Sequence, residues 1–160
     1  MTSALALGVA GNSDTPTLHI LFRIADTEFV LPAERVVQME TFTRATRVPG
    51  VPDYVIGIVQ LRGRMIPVVD LRVRLGLPRA DVTLDSRVIV FDRDGRPVAI
   101  LVDYAREVVR IAPSQKQPPP ALMDGATTRF VESIVQVGER TILVLDLEKA
   151  IGEGASHVVE

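Results

Sequence analysis

Short apolar, β-branched runs recur along the chain, each bounded by turn residues, and this pattern predicts hairpins rather than long helices. The densest signal lies in Pro49–Pro78, where Ile56–Leu61 and Arg64–Val69 flank Arg62-Gly63. Gly63 supplies a positive φ without steric cost, so Arg62 is carried on the outside of a tight turn. After Asp70 the period changes: Leu71, Leu75 and the closing Gly76-Leu77-Pro78 predict a helical turn or two, capped by Asp70 and stopped by glycine and proline.

Other segments follow the same grammar. Leu18–Ala25 and Glu28–Leu31 predict a hairpin about Asp26-Thr27, and Arg35–Thr41 a third strand. Arg87–Phe91 and Pro97–Val102 flank Asp94-Gly95, and Tyr104–Ile111 repeats the role of the third strand. Arg129–Val137 and Arg140–Leu145 flank Gly138-Glu139, with a helical turn from Asp146 to Ile151. Pro113 and Pro118-Pro119-Pro120 mark Ala112–Ala126 as an extended connector unfit for a central strand. Residues 1–16 read as a disordered arm and 153–160 as a tail.

A shift of 76 positions lays Ile58–Gly76 on Ile134–Gly152 with nine of nineteen positions identical, among them Arg64 with Arg140, Asp70 with Asp146 and Leu71 with Leu147. The upstream hairpins parallel one another less closely. The repeat predicts an all-β fold of two small five-stranded barrels packed together, approximately halves 18–78 and 86–152 of one domain at 17–152, since a lone hairpin cannot bury its apolar face. Leu61-Arg62-Gly63 in the first copy is Val137-Gly138-Glu139 in the second, so the turn does not require arginine, which points to a separate task for Arg62. A guanidinium there is suited to paired hydrogen bonds with a carboxylate.

The 160-residue composition, 47% apolar and 24% charged, is that of a globular chain, and with 4% aromatics and no tryptophan its core is aliphatic. A net charge of −2 gives no pull toward nucleic acid or anionic lipid, and only Lys116 and Lys149 among the eighteen cations are lysine. Without cysteine there is no disulfide and no thiolate chemistry. No run approaches a membrane span or a signal peptide, so a cytoplasmic protein is expected. Nucleophile-elbow, dinucleotide-binding and phosphate-loop motifs are absent, and His19 and His157 stand outside any motif. Asp70 and Asp146 read either as helix caps, the simpler reading, or as paired carboxylates, and Asp103 as a partner for an arginine. No catalytic residue, metal or cofactor is expected. A barrel for single-stranded nucleic acid, needing exposed aromatics on a basic face, and a hydrolase built on Asp70 and His19 are the rival readings.

The run Gln60-Leu61-Arg62-Gly63, Pro67-Val68-Val69-Asp70-Leu71-Arg72 and Leu75-Gly76 resembles the CheW family, the adaptor proteins of bacterial chemotaxis. The similarity extends from about Leu18 to Ile151 and takes in Val36, Thr46-Arg47-Val48-Pro49, Leu101-Val102-Asp103 and Asp146-Leu147-Glu148-Lys149. It implies two SH3-like barrels, no enzymatic activity, and binding to two partners: the cytoplasmic tip of a chemoreceptor (a methyl-accepting chemotaxis protein) and the regulatory domain of a CheA-type histidine kinase. Other CheW-like domains are a further candidate partner. Carried over by position, Val36, Gln38, Gly57, Gln60 and Arg62 belong to the receptor-contacting region. The family commonly has Glu at the place of Gln38, Asn at that of Gln60, and glycine where Glu132-Ser133 stands. Gln38 cannot form the salt bridge with Arg62 that a glutamate makes, and Glu40 replaces it as a partner if it faces the same side.

Overall fold

The structure is a computed structural model and describes residues 14–120, 125 and 127–152. Eleven strands follow in order: β1 (Thr17–Ile24), β2 (Thr27–Pro32), β3 (Val36–Thr41), β4 (Val55–Leu61), β5 (Arg64–Asp70), β6 (Arg87–Arg93), β7 (Arg96–Val102), β8 (Tyr104–Ile111), β9 (Lys116–Gln117), β10 (Val131–Val137) and β11 (Arg140–Leu145). Two short helices close the hairpins that carry the repeat, α1 (Leu71–Arg74) after β5 and α2 (Leu147–Ile151) after β11.

The strands form two sheets, β8-β1-β2-β11-β10-β9 and β3-β6-β7-β5-β4. Disregarding the two-residue edge strand β9, they share one topology. Each has a parallel pair at its centre, Val144 with Val30 in the first and Val68 with Ala99 in the second. These correspond under the 76-residue repeat. Following the registers outward makes Leu21 the counterpart of Val90, and Glu107 that of Gln38. Both outer strands are bulged at that place, opposite Leu21/Phe22 and between Val36 and Gln38.

The sheets do not, however, divide at the repeat. The halves 18–78 and 86–152 do not each make a barrel: β1 and β2 join β8, β10 and β11, while β6 and β7 join β3, β4 and β5. The leading hairpins have been exchanged between halves. The physical reason is the short connections. Only Ala33–Arg35, a 3-10 turn, separates β2 from β3, and Asp103 alone separates β7 from β8, and a link that short turns the chain onto the neighbouring sheet.

Alternation along the central strands buries both faces. Leu21, Val30, Val135, Ile142 and Val144 fill the first barrel, and Ile66, Val68, Val88, Val90 and Ala99 the second. The intervening residues, among them Phe22, Phe29, Leu31, Ile89, Phe91, Val98, Ile100, Leu143 and Leu145, meet between the sheets in one shared core, completed by Leu71, Leu75, Leu147 and Ile151 from the helices. At roughly 1.5–3 kcal/mol per fully buried large aliphatic or aromatic side chain, this shared layer makes the two barrels a single unit.

The caps are as expected: the Asp70 carboxylate accepts from the Arg72 N–H at 3.1 Å and that of Asp146 from the Lys149 N–H at 3.2 Å. Asp103 does pair with an arginine, and does more. Its carboxylate accepts from Arg72 Nε at 3.0 Å and from the Ala25 N–H at 2.7 Å, tying α1 to the β1–β2 turn. That turn is Ala25-Asp26, one residue earlier than the sequence pattern suggests, because Asp103 holds Ala25 in the left-handed region at φ 53°.

The expected arm and tail lie outside the described residues except for 14–16, and Asp14 is anchored, its carboxylate accepting from the N–H and hydroxyl of Ser114 at 2.9 and 3.0 Å. The proline-rich connector contributes only the edge strand β9, with 121–124 and 126 outside the described residues.

Candidate functional site

The second sheet curls until its two edges, β3 and β4, face each other across a seam. Thr41 to Thr46 and Ile58 to Leu61 line a cavity of about 450 Å³ there. The loop after β3 crosses part of the seam by a two-way backbone bridge, Thr46 N–H to Ile58 carbonyl at 2.9 Å and Ile58 N–H to Thr46 carbonyl at 2.8 Å. Gly57 makes that approach possible. Its φ is 148°, and a Cβ built on it collides with the Thr46 carbonyl oxygen and lies 2.8 Å from the carbonyl carbon. The residue at this position in the other half is Ser133, where a side chain is accommodated.

At the end of the seam stand three of the residues singled out by the sequence. Arg62 and Gly63, at φ 52° and 79°, form a turn with both central residues left-handed. The Arg62 side chain is 76% exposed, with its Nη2 3.6 Å from Glu40 Oε2. Gln38 Nε2 donates to the same oxygen at 3.0 Å. Glu40 therefore does face Arg62, and takes the place of a glutamate at position 38. Gln60 lines the seam cavity. Val36 stands apart at the start of β3, packed against the shared core, so its contribution is to fix where β3 begins. Val37, Met39 and Met65 leave apolar surface exposed on the same sheet.

Asp70 and His19 are not brought together. Asp70 ends β5 in the second sheet, where burial raises its pKa and Arg79 lies 3.4 Å away. His19 is on β1 in the first sheet, bonded through Nδ1 to the Thr17 carbonyl, and burial lowers its pKa. All five phenylalanines are buried, and arginines lie over both tyrosines, so no aromatic platform for bases is exposed.

Sequence reasoning missed Arg64, because on the chain it is one more polar residue opening a strand. Its repeat partner Arg140 was the available signal. Arg140 sits at the corresponding end of the first barrel, 2.9 Å from Glu28 and 3.0 Å from Glu107. These contacts hold the Glu107 carboxyl below its ordinary range.

Residues 19–154 match the family model of the CheW-like domain. The chain belongs to the CheW-like family. Among its relatives, the probable chemotaxis protein CheW of Rhizobium etli is 32% identical over 138 residues, spanning 86% of this chain and 89% of that one. The chemotaxis protein CheW of Bacillus subtilis is 31% identical, spanning 86% and 88%. The solved scaffolding protein TtCheW of Thermoanaerobacter tengcongensis superposes with a TM-score of 0.78 at 29% identity, covering 86% of this chain and 93% of that one. Exchanged hairpins, two barrels and a shared core are therefore this chain's version of the CheW-like fold.

Proposed function

We propose that this protein is a non-enzymatic chemotaxis adaptor of the cytoplasm, joining the tip of a chemoreceptor to the regulatory domain of a CheA-type histidine kinase. The family match across residues 19–154 carries this reading. The likeness to a scaffolding protein supports it, as does the absence, among the described residues, of the exposed aromatics that a nucleic-acid reader needs. Among the described residues no helix is long and apolar enough to cross a membrane.

Val36, Gln38, Gly57, Gln60 and Arg62 form the receptor-contacting region in this reading, with different tasks. Gly57 shapes the seam and Val36 fixes where β3 begins, while Gln38, Gln60 and Arg62 offer polar contacts at the rim. Arg62 is exposed enough to exchange its 3.6 Å pairing with Glu40 for a partner's carboxylate at little cost, since exposed ion pairs contribute only about 0–1 kcal/mol.

Calorimetric titration against a receptor-tip fragment and a kinase regulatory domain tests this. Binding to both is expected, and Arg62→Ala weakens the receptor contact alone. Failure of both partners from the chain's own chemosensory system to bind would reduce the likeness to one of fold.

A further inference from the structure

The internal repeat provides a template for reading the end of the second barrel. At the end of the first, Arg140 is clamped between Glu28 and Glu107, with distances of 2.9 and 3.0 Å to the two carboxylates from its Nη2 and Nη1. Arg64 is the corresponding arginine in the second barrel. The strand registers place Pro97 where Glu28 stands and Gln38 where Glu107 stands. The arginine is kept and both carboxylates are gone.

Nothing nearby compensates. Glu40, the acid on β3, is engaged by Gln38 and Arg62. Arg64 is exposed and has no hydrogen-bond or ion-pair partner among the described residues. The same contrast appears on the neighbouring positions. Gln136 accepts from the Thr141 hydroxyl at 3.1 Å, while the side chain of its counterpart Gln60, opposite Met65 across the hairpin, has no partner among the described residues. An arginine with no counter-charge contributes little to the fold, whereas one that meets a carboxylate on docking gains a charge-assisted, paired contact.

We propose that Arg64 is the docking point for an acidic side chain of the chemoreceptor, which enters the end of the second barrel and fills the place that Glu28 and Glu107 fill in the first. The Gln38 amide, with one N–H used on Glu40, holds a second to donate to the same carboxylate. With Arg62 already paired to Glu40, a glutamate at position 38 would instead satisfy Arg64 from within. The inference rests on the adaptor reading and adds to it the chemistry of the contact.

The test uses the full chain, titrated with a receptor-tip fragment and, separately, with the kinase regulatory domain. Arg64→Gln removes the docking charge, and Gln38→Glu supplies the missing carboxylate internally. Each is expected to weaken receptor binding about tenfold. Wild-type affinity falls as ionic strength rises from about 0.1 to about 1 M, and the variants lose most of that dependence. Kinase binding stays the same, which rules out misfolding as the cause. Receptor affinity unchanged in both variants overturns the inference while leaving the adaptor reading standing. So does an equal loss of kinase binding. A wild-type chain that does not bind the receptor fragment overturns the adaptor reading, and this inference with it.

Discussion

Arg140 and Arg64 occupy one position in two copies of a motif, and only Arg140 lies among carboxylates. The same division runs through the rest of the two ends. The first barrel has Val109 packed against its core where the second has Glu40. It carries Gly138 where the second has the exposed Arg62. Features common to both barrels, the capping aspartates and the parallel central pair, belong to the fold. Features in one only are left to be explained by what that end does, and at the second barrel's end Arg64 has no ion-pair or hydrogen-bond partner among the described residues. A duplicated chain thus carries its own control.

The comparison breaks most decisively at Gly57 and Ser133. Gly57→Ser drives a Cβ into the Thr46 carbonyl at a φ of 148°, and is expected to cost about 3 kcal/mol in urea unfolding. Ser133→Gly costs less than about 1 kcal/mol, because the serine hydroxyl is buried without a partner. Equal effects would mean that the seam is no more closely built than its counterpart.

Next in size is Arg74, whose repeat counterpart is Ala150. Its guanidinium donates to the Ala150 and Lys149 carbonyls at 2.9 and 3.0 Å and lies 4.2 Å from the centre of the Tyr54 ring. It ties one barrel's helix to the end of the other's. Arg74→Ala is expected to lower stability by about 2 kcal/mol, and a loss confined to one barrel, seen as two separate melting steps, would contradict the single-unit picture.

Arg140→Gln leaves Glu28 and Glu107 facing each other without a cation. It should lower the melting temperature at low ionic strength and less at high, whereas Arg64→Gln leaves the melting temperature unchanged.

The smallest effect is in pH. Burial holds the His19 pKa below its ordinary 6.5, so the unfolded chain binds the extra proton first and stability is lost as pH falls below that value. The Glu107 carboxyl is held down by Arg140, so its contribution is present above about 4.5 and lost below it. His19→Leu removes the upper phase alone and Arg140→Gln the lower one. Neither touches the second barrel, and a variant that abolished both would show the two phases to be one.

The strands, turns, caps and repeat were legible in the sequence because each rests on local chemistry: Arg62-Gly63 for a left-handed turn, Asp70 before Leu71 for a cap. The pairing of the barrels was not. Which sheet β1–β2 joins is decided by the single residue Asp103 and the three-residue turn after Pro32, and short links carry no periodicity. Of the proposed contact, Arg62 and Gln38 were visible through the family resemblance. Arg64 needed the registers, since only they bring Gln38 and Pro97 to the places of two acids that lie 79 positions apart in the chain's other copy, at 28 and 107.

The exchanged hairpins also set an order of completion during synthesis. The second barrel uses one uninterrupted stretch, Val36 to Val102, so all its strands are present once β7 has left the ribosome. The first must hold β1 and β2 ready while that stretch is made, and receives β11, the parallel partner of β2, last. Its hairpin waits with both edges unpaired, the state in which a nascent chain is most open to wrong partners. The barrel that carries Arg64 is finished early, and the barrel sealed by Arg140 is finished late.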